Sequence, residues 1–127
     1  MSIKLFVYGT LKKGKCNHSV LGQAKFLGKG TVVGYDMYSN GYYPYAMFTG
    51  SNSRCISGEV YEIDDVSFKR CDQLEGYPRH YDRTMVNVFM DGKIFDKNAD
   101  ITAWIYYTDE ERTNTTGLKY LENGVFE

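Results

Sequence analysis

Ile3-Lys4-Leu5-Phe6-Val7-Tyr8-Gly9-Thr10-Leu11 is the stretch from which the rest of this chain is best read. Its apolar run is short and ends on a glycine. That is the pattern of a buried strand, Ile3–Tyr8, closed by a sharp turn. At Gly9-Thr10-Leu11 successive main-chain N–H groups can converge on an anion and form a nest for a carboxylate or a developing oxyanion. Gly9 lacks the Cβ that would block close approach. Alone, such a turn also reads as ordinary strand-to-loop punctuation. Its weight comes from Leu74-Glu75-Gly76-Tyr77-Pro78 downstream, which reads as a helix stop with a carboxylate beside it.

Outward from the first strand, Lys12-Lys13-Gly14-Lys15 reads as a polar loop, and Asn17 as the cap of a short helix that runs to Leu21 and stops at Gly22. Phe26–Tyr38 alternates loosely around Gly28, Gly30 and Gly34, which predicts a bent or bulged strand at a barrel corner. Ser39-Asn40-Gly41 is a turn signal, and Tyr42-Tyr43-Pro44-Tyr45 is expected to be extended near an opening. Cys55–Ile63 reads as a strand. Asp64 or Asp65 is the expected N-cap of a helix over Val66–Glu75, with Val66, Arg70 and Leu74 on one stripe. Gly76 is the expected left-handed cap, and Pro78 prevents continuation. In Tyr81–Met90, Met85, Asn87 and Phe89 face one way and Val86, Val88 and Met90 the other. Asp91-Gly92 reads as a hairpin turn, and Ile101–Tyr107 as a last strand. The tail from Thr108 is polar, with Leu118, Tyr120 and Leu121 as docking residues. Regular βα alternation is missing, so the order favours an α+β fold over a doubly wound sheet. The 127 residues read as one domain, 1-127.

Bulk properties narrow the function. The chain is 43% hydrophobic and 24% charged, with 12 tyrosines, as expected of a soluble globular protein with aromatic sheet faces and a lined pocket. A formal net charge of −1 gives no global field for nucleic acid or anionic lipid. There is no apolar run of membrane-spanning length and no signal-peptide pattern at the start, so a cytoplasmic setting is expected. Cys16, Cys55 and Cys71 are an odd set without C-x-x-C spacing, which fits a reduced compartment. His18 and His80 lack metal-ligand spacing. Cys71 reads as a structural thiol, and no phosphate-loop motif accompanies Lys12, Lys13 and Lys15.

Glu75 breaks a local rule. At the C-terminal end of a helix the dipole disfavours a carboxylate by a few tenths to about 1 kcal/mol. A carboxylate kept there among apolar neighbours would have a raised pKa, which suits a general base working near neutrality. Glu59 and Glu62 are the rival carboxylates, but they sit on a strand without that helix-end context.

Taken together, these segments resemble the γ-glutamyl cyclotransferase-like superfamily, and especially its γ-glutamylamine cyclotransferase branch. The carrying residues are Phe6-Val7-Tyr8-Gly9-Thr10-Leu11-Lys12-Lys13-Gly14 with Asn17-His18, then Gly58-Glu59-Val60-Tyr61, Asp72-Gln73-Leu74-Glu75-Gly76-Tyr77-Pro78, Tyr81-Asp82-Arg83 and Val86-Asn87-Val88. The family's Tyr-Gly-Ser-Leu is Tyr-Gly-Thr-Leu here. The resemblance implies a small closed or nearly closed mixed β-barrel with short helices packed outside. It implies that Tyr8, Gly9, Thr10 and Leu11 hold substrate, that Tyr81 lies near the pocket, and that Glu75 is the acid/base residue. It implies a small γ-glutamyl substrate and no metal or organic cofactor. The expected reaction is cyclisation of a γ-glutamyl amine or amide to 5-oxoproline with release of the amine. Two other classes stay open: a non-catalytic binding module for γ-glutamyl or other acidic metabolites, and a partner-binding domain with a tyrosine-rich surface.

Overall fold

The computed structural model describes residues 2–127. In chain order its elements are β1 (Ile3–Val7), a 3₁₀ turn (His18–Leu21), β2 (Lys25–Val33), β3 (Tyr35–Ser39), β4 (Pro44–Phe48), β5 (Cys55–Ile63), α1 (Asp65–Glu75), β6 (Asp82–Met90), β7 (Asp100–Tyr107) and β8 (Lys119–Tyr120). Five strands close into a barrel in the order β1-β5-β2-β6-β7, and a second, three-stranded sheet has the order β4-β3-β8. The barrel is mixed: β1 and β7 meet in parallel at Leu5 and Trp104, and the other barrel pairs are antiparallel.

Strand β1 is apolar throughout its second half because both of its faces are covered. Phe6 points into the barrel with Val32, Val60, Val88, Ala103 and Ile105. Leu5 and Val7 point the other way, into a second cluster with Leu21, Tyr61, Phe68 and Cys71. Helix α1 therefore packs outside the barrel, over the strand that carries the turn at Gly9.

Several local expectations hold. Asp64 caps α1, its side chain accepting from Ser67 N at 2.7 Å. Gly76 ends the helix in the left-handed conformation, φ 65 and ψ 35. The pairing register of β2 shifts between Phe26 and Gly28, the bulge its glycines predicted. On β6, Val88 is buried while Met85 and Asn87 are exposed, which is the alternation expected.

Others need correction. Phe26–Tyr38 is two strands, because the chain breaks at Gly34 (φ 93) and β3 leaves the barrel for the second sheet. Asn17 precedes the 3₁₀ turn but makes no side-chain cap bond. Asp91 and Gly92 both have positive φ, as in a tight turn, yet β6 and β7 are joined through residues 91–99, with Met90 N bonded to Ala99 O at 2.8 Å. The helix stripe is also rotated. Val66 and Leu74 are 59% and 41% exposed, and the buried side is Ser67, Phe68 and Cys71. The barrel wall lies on that side, so packing against it, and not the apolar residue count, decides which face turns inward. Stepping four residues along the same side from Ser67 and Cys71 reaches Glu75.

The tail returns to the barrel. Leu121 N donates to Met37 O at 2.8 Å, Ser57 N donates to Gly124 O at 2.8 Å, and Leu121 and Phe126 pack on the barrel cluster.

Candidate active site

Because Glu75 continues the buried side of α1, its carboxyl enters a cavity of about 530 Å³ beside the end of β1. Tyr8, Gly9, Thr10, Leu11 and Tyr81 line the same cavity. The structure thus brings together all six residues singled out in the sequence. Burial pushes the Glu75 carboxyl up from 4.5 to about 7, since an ion loses hydration there without gaining a compensating charge.

The turn supplies the opposite character. Among the described residues, the main-chain N–H groups of Gly9, Thr10 and Leu11 donate to no protein acceptor. Such donors are ordinarily satisfied unless a ligand or water takes them. The turn itself is well tied. Lys12 N donates to Gly9 O at 3.0 Å, and Asn17 N donates to Thr10 O at 2.9 Å. Asn17 Nδ2 donates to Thr10 Oγ1 at 3.0 Å, so the asparagine that fails as a cap holds the loop instead. His18 Nδ1–H donates to Leu11 O at 2.8 Å. Lys12 Nζ donates to Phe126 O at 2.6 Å, which ties the tail to the loop. The Leu11 side chain is buried in the cluster beneath α1, leaving only its main chain for a ligand.

The tyrosines form walls. The Tyr8 hydroxyl donates to Tyr106 O at 2.6 Å, and the Tyr81 hydroxyl donates to Pro44 O at 2.7 Å. Desolvation first, and nearby acidic groups including Glu75 second, hold both phenols well above their usual range. Neither is a proton source at neutral pH. Tyr45 stacks on Tyr81 with centroids 5.9 Å apart and planes 12° from parallel. Pro44 stands so close to the turn that a Cβ on Gly9 would lie 2.5 Å from its Cγ. Gly9→Ala should therefore cost about 1–3 kcal/mol of folding stability, read by urea titration. An unchanged midpoint would mean that turn and wall part freely.

The rival carboxylate Glu59 is engaged elsewhere: its Oε1 accepts from Lys13 N at 2.9 Å and from the Tyr61 hydroxyl at 3.0 Å. Cys71 is buried, and desolvation followed by the charges of Glu75 and Asp72 pushes its thiol up to about 12. It is inert as a nucleophile at neutral pH.

Sequence reasoning missed part of the lining. Tyr106, His80 and the tail residues Arg112, Thr113 and Asn114 also face the cavity. Arg112 fixes the tail there. It ion-pairs with Asp109 and with Asp82 (3.4 Å), and its Nε donates to Pro78 O at 3.2 Å. The pair with Asp109 is local, but no local pattern announces the contacts with Asp82 and Pro78, which join residues about 30 positions apart. The exposed Tyr42 contributes nothing to the cavity, whereas Tyr43 and Tyr45 do.

The site is thus one cavity at the end of β1, lined by both the Tyr8–Leu11 turn and Glu75, in a closed mixed barrel. Comparison with known proteins identifies the family. The model of the gamma-glutamyl cyclotransferase, AIG2-like family matches residues 5–126, and the chain belongs to that family. It is 43% identical over 108 residues to a protein of Methanocaldococcus jannaschii provisionally named a gamma-glutamylcyclotransferase, covering 84% of each chain. It is 37% identical over 92 residues to the gamma-glutamylaminecyclotransferase of Rattus norvegicus, covering 66% of this chain and 62% of the other. Among solved structures, an AIG2-like protein of Mus musculus superposes with a TM-score of 0.80 at 25% identity, over 99% of this chain and 88% of that one. The family's activity is gamma-glutamyl cyclotransfer.

Proposed function

We propose that this protein cyclises a γ-glutamyl amine or amide to 5-oxoproline and releases the amine, with Glu75 as the proton carrier. The observation that carries this reading is the pairing, across one cavity, of a carboxyl with its pKa raised to about 7 and a row of three unpartnered main-chain N–H groups.

In this reading the N–H groups of Gly9, Thr10 and Leu11 take the substrate's α-carboxylate. The walls made by Tyr8 and Tyr81 fold the flexible glutamyl chain so that its α-nitrogen approaches its own γ-carbonyl carbon. Such positioning turns a loose chain into a ring precursor. The α-amine arrives mainly as ammonium. Glu75 carboxylate removes one proton, and the freed nitrogen forms a bond to the γ-carbon. The bond to the departing nitrogen then breaks as that nitrogen takes the proton from Glu75. The regenerated carboxylate passes on the second proton, shed by the ring nitrogen as it becomes an amide, to the released amine, which leaves as ammonium. No water is consumed, and no covalent enzyme intermediate is needed. A carboxyl near pKa 7 serves both halves of the cycle, since it gains and loses a proton with similar ease.

The test is incubation with γ-glutamyl amines and γ-glutamyl amino acids, reading 5-oxoproline by mass spectrometry. The expected result is 5-oxoproline and free amine in equal amounts. Thermal stabilisation by these compounds without product would favour the binding module instead. The base form of Glu75 is the active one, so kcat/KM should rise with pH and level off above about 7, the value to which burial raises Glu75. A limb centred near 4.5 would remove the role of burial.

A further inference from the structure

The last turn of α1 carries two carboxylates, Asp72 and Glu75, and no basic residue. The helix dipole disfavours negative charge there, and helix ends fray. Something outside the helix must hold this turn if Glu75 is to keep its place. Asp72 is the point of attachment. Its carboxylate ion-pairs with Arg83 Nε on β6 at 2.9 Å, and accepts from the Tyr106 hydroxyl on β7 at 2.7 Å. The Arg83 guanidinium is itself enclosed by aromatic rings. It lies 4.4 Å from the centroid of Phe68, 4.3 Å from Tyr77 and 4.7 Å from Trp104, so residues of α1 and of the chain just past it grip the same cation. Tyr106 also reaches the donor turn, because its main-chain carbonyl accepts from the Tyr8 hydroxyl at 2.6 Å. One tyrosine on the barrel wall is thus bonded to both sides of the cavity.

We infer that Asp72, clamped between Arg83 and Tyr106, is a positioning residue that holds Glu75 at a fixed distance from the turn Tyr8–Leu11. This rests on the acid/base reading of Glu75 given above. Asp72 touches no substrate in this account. It acts through the helix turn it shares with Glu75.

Tyr106→Phe tests the clamp with little else disturbed. It keeps the ring and the main-chain carbonyl that Tyr8 uses, and removes only the bond to Asp72. The expected result is a fall in kcat of about tenfold to a hundredfold, the scale of a displaced catalytic group, with KM within about threefold of the parent. The acidic limb of the pH profile should stay near 7, because burial alone raises the Glu75 carboxyl. Asp72→Asn should act in the same direction by breaking the pair with Arg83. Amide hydrogen exchange at residues 75–77 should speed up at least tenfold in both variants, and this is read without any substrate. Parental kcat in both variants, or parental exchange at that turn, would overturn the inference. So would a limb moved toward 4.5, which would mean that the network keeps water out instead of setting position. Failure of the underlying reading looks different: parent protein and Glu75→Gln would be alike in making no 5-oxoproline, while the exchange measurement would still decide whether Asp72 holds the turn.

Discussion

Replacing Glu75 with Gln should lower kcat by about 10²–10⁴-fold, the usual contribution of a positioned proton carrier, while KM stays within a few-fold. Gln keeps the shape and hydrogen-bonding reach of Glu but cannot take the ammonium proton or return it. The N–H row at Gly9–Leu11 is untouched by the change, so the α-carboxylate should bind as before. The measurement is initial rate of 5-oxoproline formation against substrate concentration, with folding checked by circular dichroism. Parental kcat in a folded Glu75→Gln protein would remove Glu75 from the mechanism.

The same substitution should stabilise the fold above neutral pH. The folded state holds the Glu75 proton up to about pH 7, whereas the unfolded chain releases it near 4.5. The fold therefore binds this proton more tightly. Between those two values stability falls as pH rises, and the penalty is fully present above about 7. That interval corresponds to at most about 3 kcal/mol. Gln carries no charge at any pH, so Glu75→Gln should be more stable than the parent at pH 8 and equal to it at pH 4. Chemical denaturation at the two pH values reads this difference. Equal stabilities at pH 8 would mean that the carboxylate is well solvated. Loss of turnover with gain of stability is what a strained functional group should produce.

Much of this architecture was legible locally. Ile3–Val7, Asp64 and Gly76 announce a buried strand, a helix cap and a helix stop through interactions within a few residues. The oddity of Glu75 was legible because the dipole rule is local too. What was not legible depends on partners far along the chain. The rotation of α1 follows from the barrel wall beneath Phe68 and Cys71, so a stripe drawn through Val66 and Leu74 points the wrong way. Choosing the Phe68–Cys71 side would have placed Glu75 inward at once. The contributions of Tyr106 and of Arg112–Asn114 to the cavity require the β1–β7 closure and the return of the tail. Neither is encoded in a short pattern. The split of Phe26–Tyr38 between two sheets turns on Gly34, which reads equally as a bend within one strand.

The most direct test of the central claim is a ¹³C NMR titration of the Glu75 carboxyl in the free protein. A midpoint near 7 is predicted, coinciding with the rise of kcat/KM. A midpoint near 4.5 would contradict the account, because a carboxyl that ionises as freely as one in water is neither kept dry by this cavity nor poised to carry the proton.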